Sequence, residues 1–447
     1  MKSLADLIEL ALAAALRGLP AAKREASPPS EGFLLGREVP SGREVRLRES
    51  ELRRHAYLIG ATGSGKTNLL LRLIDEETRL GRTVVVLDLR GDLADRVLVR
   101  CGQGSVTAID LRRDDAPGFN PLSGSGDPHT RAAGLLGTIR AQSDSWGVQL
   151  DETLRNALVA LAFAGLSLGD LEPLLEEGDF RESALERCPD ETVLRFFARY
   201  GSLSDERRRT WSLPVLNKVT PLLGAPQIRK MLSARSGGVD WRTLLDRPGS
   251  LILVALAVHR FHAASRLMGG LMVDSIERAV TARADAPESS RNPCTLFVDE
   301  FETMACPAFA SIVAEGRRFG LSLVLSHQNL SQMENSLRQT VRNNAAVQLL
   351  FQTGAGDAGE LAQDVAGLGG REQVKAILTS QKVGEALLVR RGSPTLRVAT
   401  EHSPDPELST APAKGSETLE APAETTPAKT RPNAKEARHD KPPLGLG

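Results

Sequence analysis

Short apolar runs recur along this chain, and most of them stop at a glycine or an aspartate. Tyr57-Leu58-Ile59 ends at Gly60, and Arg82 to Leu89 carries Val84-Val85-Val86-Leu87 up to Asp88. Ser105–Asp110, Ser250–Leu256, Thr295–Val298, Leu321–Leu325, Ala346–Phe351 and Ala386–Val389 repeat the pattern. Such runs show little polar alternation, as expected of strands buried on both faces in a parallel sheet. Two shorter β-like pieces, Phe33–Gly36 and Glu44–Arg48, precede them. After the first long run the period changes: Leu69, Leu70, Leu73 and Ile74 make one stripe of a helix over Asn68–Leu80, stopped by Gly81. Strand, helix and strand in that order form the unit of a parallel sheet.

From about Pro128 to about Asp246 helical stripes replace the runs, with polar starts at Asp151, Ser167, Asp190 and Ser204. Pro214, Pro221 and Pro226 are expected to break the later helices. A long helix from Phe261 to about Ala284 follows the Ser250–Leu256 strand. The pattern predicts an α/β fold, a mostly parallel sheet flanked by helices, with an all-helical insertion. It divides the chain into an N-terminal helix and linker (1–31), a first sheet segment (32–127), the insertion (128–246), a second sheet segment (247–402) and a disordered tail (403–447). The tail has almost no large apolar residues with which to offset its ordering entropy.

Chemistry enters at the first break. Gly60-Ala61-Thr62-Gly63-Ser64-Gly65-Lys66-Thr67 fits G-x-x-x-x-G-K-[ST], between a strand and a helix that starts at Asn68. Glycines let backbone N–H groups turn toward an anion, Lys66 can reach the β- and γ-phosphates, and the Thr67 hydroxyl can hold Mg²⁺. This predicts an ATP site. Cys294 to Val298 ends in Asp299-Glu300, where a strand-end aspartate can complete the Mg²⁺ shell and the next glutamate can activate water. The Leu321–Leu325 strand is expected beside it, presenting Gln328 at its carboxyl end to sense the γ-phosphate. Arg317 and Arg318 are candidates for an arginine donated across a subunit boundary, with Arg338 and Arg342 as competitors. Helix capping is the simpler role for the first two; Asp88 and Asp92 shape the turn or cap a helix, with a metal role as the alternative.

Hydrophobic residues are 41% and charged residues 25% of 447, and the formal net charge is zero. That excludes a globally basic body, so any nucleic-acid surface is a local patch or pore. Asp205-Glu-Arg-Arg-Arg-Thr-Trp211 is the insertion's basic cluster, a solvated face or a DNA contact. Cys101, Cys188, Cys294 and Cys306 are scattered, without zinc-ligand spacing, which points to reduced thiols. Leu4–Leu16 is too short to span a bilayer and contains Asp6 and Glu9, so a cytoplasmic chain without a transmembrane segment is expected.

In chain order, His55 to Thr67, Phe119-Asn-Pro-Leu122, Val298-Asp-Glu-Phe301, Arg317-Arg-Phe-Gly-Leu321, Ser326-His-Gln328 and Val341 to Phe351 with Asp357-Ala resemble the HerA–FtsK superfamily of P-loop DNA-pumping ATPases. The type IV secretion coupling-protein-like and HerA-like members are the most similar in appearance. The resemblance runs from about Gly32 to Ala399. It implies a RecA-like motor that assembles as a ring, a homo-hexamer, with ATP between subunits and DNA in the channel. It further implies Lys66 and Thr67 on phosphate and metal, Asp299 on Mg²⁺, Glu300 on water, Gln328 on the γ-phosphate and Arg317 in trans. A relaxase, nuclease or secretion channel is the kind of partner it brings. Two features depart from the family: no N-terminal spanning helices are visible, and only a β-like remnant stands where HerA proteins carry a β-barrel. A protein-secretion or assembly ATPase of the same fold, or a non-motor nucleotide switch, stays open.

Overall fold

Eleven strands form one sheet in the computed structural model, which describes residues 32–102, 105–304 and 306–402. The helix expected over Leu4–Leu16 and the tail expected from Ser403 lie outside the described residues. In chain order the strands are β1 (Phe33–Glu38), β2 (Glu44–Leu47), β3 (Ala56–Ile59), β4 (Thr83–Asp88), β5 (Val106–Asp110), β6 (Leu251–Ala255), β7 (Cys294–Val298), β8 (Leu321–His327), β9 (Val347–Leu350), β10 (Glu385–Arg390) and β11 (Leu396–Thr400). Their spatial order is β2-β1-β11-β10-β9-β3-β8-β7-β4-β6-β5.

From β9 to β5 every neighbouring pair is parallel, whereas β10, β11, β1 and β2 extend the sheet antiparallel. The fold is therefore α/β, with a mostly parallel sheet flanked by helices, as the apolar runs predict. β11 escapes the periodicity because only Val398 of its five residues is buried.

Successive side chains of a strand point to opposite faces, and each face has its own core. Ala56 and Leu58 join Val84, Val86 and Phe297 beneath the helices Lys66–Arg79 and Asp92–Cys101. Tyr57 and Ile59 join Val85, Leu87, Leu296 and Val298 on the other face. The same apolar cluster continues through Leu154, Tyr200 and Leu222 of the helices between β5 and β6. Burying each such Val or Leu contributes roughly 1.5–3 kcal/mol.

Two details fix the site's supports. Glu77, near the end of the helix Lys66–Arg79, accepts from the Thr295 hydroxyl of β7 at 2.7 Å and pairs with Arg82. This buried pair ties the helix that follows the phosphate loop to the strand carrying the acidic doublet. At Phe119–Leu122 the loop is clipped to the helices: Phe119 N–H donates to the Met231 carbonyl at 2.8 Å and Asn120 Nδ2 to Leu166 O at 3.1 Å.

The prolines correct the sequence reading. Pro214 and Pro221 both lie inside one helix, Asp205–Leu223, and only Pro226 marks a start, that of Pro226–Leu232. Each internal proline costs a hydrogen bond and a steric clash, about 3 kcal/mol. Val215, Val219 and Leu222 on the buried face, packed into the large core, offset that cost.

Candidate nucleotide-hydrolysis site

The strand order decides what meets at the carboxyl edge of the sheet. β3 and β4 are successive in the chain, yet β8 and β7 lie between them, so the phosphate loop after β3 and the acidic doublet after β7 are separated by one strand. β8 pairs in parallel with both, Ile59 opposite His327 and Val298 opposite Leu325, which brings Gln328 to the gap. Ligands of open α/β sheets gather at this edge.

The loop has the shape of an anion cradle. Gly65 takes φ +111°, and a Cβ there would meet the Gly384 backbone at 3.0 Å. Gly60 has ordinary φ, but its Cβ would sit 2.5 Å from Phe351 Cβ. The helix Lys66–Arg79 begins with its dipole end at the loop, and the N–H groups of Gly63, Gly65 and Lys66 donate to no protein acceptor among the described residues. Ser64 Oγ is likewise buried without a partner. Lys66, 6% exposed, folds back onto the carbonyls of Gly60 at 2.5 Å and Ala61 at 3.0 Å. Burial lowers its pKa, while the charges of Asp299, Glu302 and Glu300 raise it, so the lysine faces the acidic doublet. Donors free of protein partners around one buried cation fit a polyphosphate.

A hydrogen-bonded chain crosses the gap. Thr62 Oγ1 donates to Gln328 Oε1 at 3.0 Å, Gln328 Nε2 donates to Glu300 Oε1, and Arg90 Nη2 donates to that same oxygen at 2.8 Å. Glu300 holds left-handed backbone at φ +53°, a conformation costing a non-glycine residue roughly 1–2 kcal/mol, and its N–H donates to Asp299 Oδ1 at 3.1 Å. Burial and then the Glu300 charge raise the Asp299 pKa, against the Ser326 hydroxyl and Lys66. Among the described residues no group of three or more His, Cys, Asp or Glu could hold a metal alone. Mg²⁺ is commonly bound by one or two carboxylates together with substrate phosphates, and Thr67 and Asp299 are the residues that would hold it.

Other candidates fall elsewhere. Asn68 Nδ2 donates to the Glu401 carbonyl at 3.0 Å. Asp88 caps Asp92–Cys101, accepting from Arg90 N at 2.9 Å and Ala94 N at 3.0 Å. Arg317 and Arg318 lie in the turn Gly316–Phe319 that leads into β8 at its amino end, so roughly 20 Å of strand separates them from this chain's own Gln328. Arg338 and Arg342 are spent on Glu360 and Asp364. In the basic cluster Arg208 is held by Asp205 and by the carbonyls of Gly201 and Leu203. The four cysteines are buried free thiols, and no described helix is long and apolar enough to cross a membrane.

Two site residues escape sequence reasoning, Arg90 and Glu302. The usable signals were their places: Arg90 two residues past the strand-end Asp88, and Glu302 one turn beyond Asp299. Glu302 is buried with Oε2 unpartnered, and burial followed by the Glu300 and Asp299 charges pushes its carboxyl up to about 7. Between about pH 4.5 and 7 the folded chain therefore holds a proton that the unfolded chain releases, and this contribution to stability is lost as pH rises. His55 and His327 act in the opposite sense. Burial holds both near 4, so the unfolded chain takes up protons below about 6.5 that the folded chain refuses, and stability is lost as pH falls. Glu302→Gln removes one opponent of the histidines. In urea titrations its stability should fall about 1.4 kcal/mol per pH unit more steeply than wild type between about pH 6.5 and 5. Parallel curves would mean that this carboxyl titrates as if in water.

Comparison with known proteins agrees with the fold. Residues 293–403 match the family described as the TraM recognition site of TraD and TraG, and residues 43–100 match the type IV secretion-system coupling protein DNA-binding domain. The DNA double-strand break repair helicase HerA of Sulfurisphaera tokodaii is 20% identical over 366 residues, 80% of this chain and 67% of that relative. The chain thus spans about two thirds of that relative's length. The plasmid coupling protein TrwB in complex with ADP and Mg²⁺ superposes with a TM-score of 0.62 at 17% identity, covering 84% of this chain and 90% of that one. VirB4 of Thermoanaerobacter pseudethanolicus gives 0.59 at 16%, covering 84% and 97%. Sheet order, loop and matched families together make this chain similar to the P-loop ATPases of the HerA–FtsK, coupling-protein-like kind.

Proposed function

We propose that the chain is an ATP-driven DNA-translocating motor that works as a ring, a homo-hexamer, with each nucleotide between two copies. The observation that carries this is the split between sheet edges. Lys66, Asp299, Glu300 and Gln328 share the carboxyl edge, while the exposed Arg317 and Arg318 lie at the amino end of β8. One chain cannot fold those arginines onto its own loop, but a head-to-tail neighbour can offer them, and a head-to-tail contact closes into a ring. Arg318, with its side chain 76% exposed and only a 4.0 Å contact to Glu315, is free to move.

Within the site, Lys66 leaves the Gly60 and Ala61 carbonyls for the phosphates, beside the N–H groups of the loop. Gln328 and Glu300 are already joined, so they can hold one water between them, Glu300 accepting its proton. Mg²⁺, when bound by Thr67 and Asp299, neutralises charge on the phosphates. The matched DNA-binding family and a DNA repair helicase among the relatives support DNA as the cargo, and a TrwB structure holding ADP and Mg²⁺ supports the nucleotide. Recognition of a TraM-like partner would fit the family matched over residues 293–403.

The test is the ATPase rate with and without single- or double-stranded DNA, alongside mass by light scattering with ATP. DNA stimulation and an ATP-promoted ring are expected. A rate indifferent to DNA would favour a protein-secretion or assembly ATPase, and a monomer at every ATP concentration would end the ring.

A further inference from the structure

The amino edge of the sheet carries a second concentration of charge, unrelated to the phosphate loop. A cleft of about 600 Å³ there is walled by Arg48, Arg53, Arg54, Arg317, Arg390 and Arg391 against one acid, Glu51. Glu51 is spent on Arg390 at 2.8 Å, and Arg53 pairs with Glu49 at 3.3 Å. Arg48, Arg54, Arg317 and Arg391 are exposed, and their guanidinium groups form no ion pair among the described residues, although the Arg48 N–H donates to Glu51 Oε2 at 2.7 Å. A second cleft of about 510 Å³ shares Ala346, Arg390, Arg391 and Ser393 with the first, so the two run together as a groove. Gln348 lines the second part. It is 8% exposed, its Nε2 donates to the Arg342 carbonyl at 3.1 Å, and its Oε1 has no partner.

A chain of zero net charge has no general reason to crowd four uncompensated guanidinium groups together, since their repulsion costs stability until an anion arrives. A single small anion uses one or two arginines, whereas six around one cleft, with Arg390 and Arg391 continuing into the next beside Asp364, suit a polyanion. Arginine's planar fork matches phosphate oxygens two at a time. No aromatic ring lines either part, so the grip is on phosphates and not through stacking. We infer that this groove binds the phosphodiester backbone of a nucleic-acid strand, an inference that rests on the DNA-motor reading and locates its cargo.

The test uses the full chain with Arg54→Gln and Arg391→Gln combined, both at exposed positions; Arg317 is left intact because it is a candidate for the neighbour's site. Binding of a fluorescent mixed-sequence oligonucleotide is measured across salt concentrations. Affinity should fall on the order of 10- to 100-fold, and the slope of log affinity against log salt should shrink by about two, one per arginine. DNA-free ATPase should stay at the wild-type rate, and the DNA concentration for half stimulation should rise in step with the weaker binding. An unchanged affinity and slope, with wild type still stimulated by DNA, would overturn the groove and leave the motor reading standing. Loss of DNA-free ATPase would instead assign the groove to a neighbouring copy's nucleotide. Binding of polyglutamate that weakens while oligonucleotide binding holds would assign it to an acidic protein. Either result overturns the proposal. A wild-type chain that neither binds nor responds to DNA sinks both readings.

Discussion

Lys66→Ala should lower the ATPase rate by about 10³-fold, the scale of deleting one preorganised group that stabilises charge in a transition state. The lysine is 6% exposed, and its ammonium is held by two loop carbonyls beside three acidic side chains. Among the described residues no other lysine or arginine donates to the Gly60 and Ala61 carbonyls in its place. The substitution also leaves Asp299, Glu300 and Glu302 facing each other without that cation, so weaker nucleotide binding should accompany the lost rate. Phosphate release and a fluorescent-nucleotide titration separate the two effects, with circular dichroism as the check on folding. A variant that turns over normally would put the phosphates somewhere other than this loop.

Glu300→Gln should separate binding from chemistry. The amide keeps the length of the side chain and can still meet Arg90, but it cannot take a proton from water. Turnover is therefore expected to fall about 10²- to 10⁴-fold while ATP stays bound. Single-turnover hydrolysis with the nucleotide in deficit reads this directly. If Glu300→Gln were active and Glu302→Gln inactive, the base would be the buried glutamate one turn on.

The legible parts of this site were those written locally. An apolar run broken by a glycine motif, and another broken by Asp-Glu, can each be read from adjacent residues. So can the buried strands, because six parallel strands, β3, β4 and β6 to β9, are covered on both faces and leave little polar alternation. What could not be read is adjacency. Arg90 reaches Glu300 because β7 and β8 enter the sheet between β3 and β4, a decision taken more than two hundred residues after β4 is written. Glu302 is buried because the turn Phe301–Met304 packs Phe301 and Met304 into the core. The prolines at 214 and 221 misled for a related reason, since local helix chemistry was outweighed by packing from distant parts of the chain.

The position of β3 also constrains how the protein is made. Both of its neighbours, β8 and β9, come from residues 321–350, and β1 closes against β11 at residues 396–400. A ribosome delivering the chain from its amino end releases the phosphate loop early, on a strand with nothing to pair with. Non-local pairing of this kind folds slowly and leaves sticky edges exposed. Nucleotide capture is thereby postponed until the chain has been made past residue 350, and products truncated before it are born without the partners of the phosphate-loop strand.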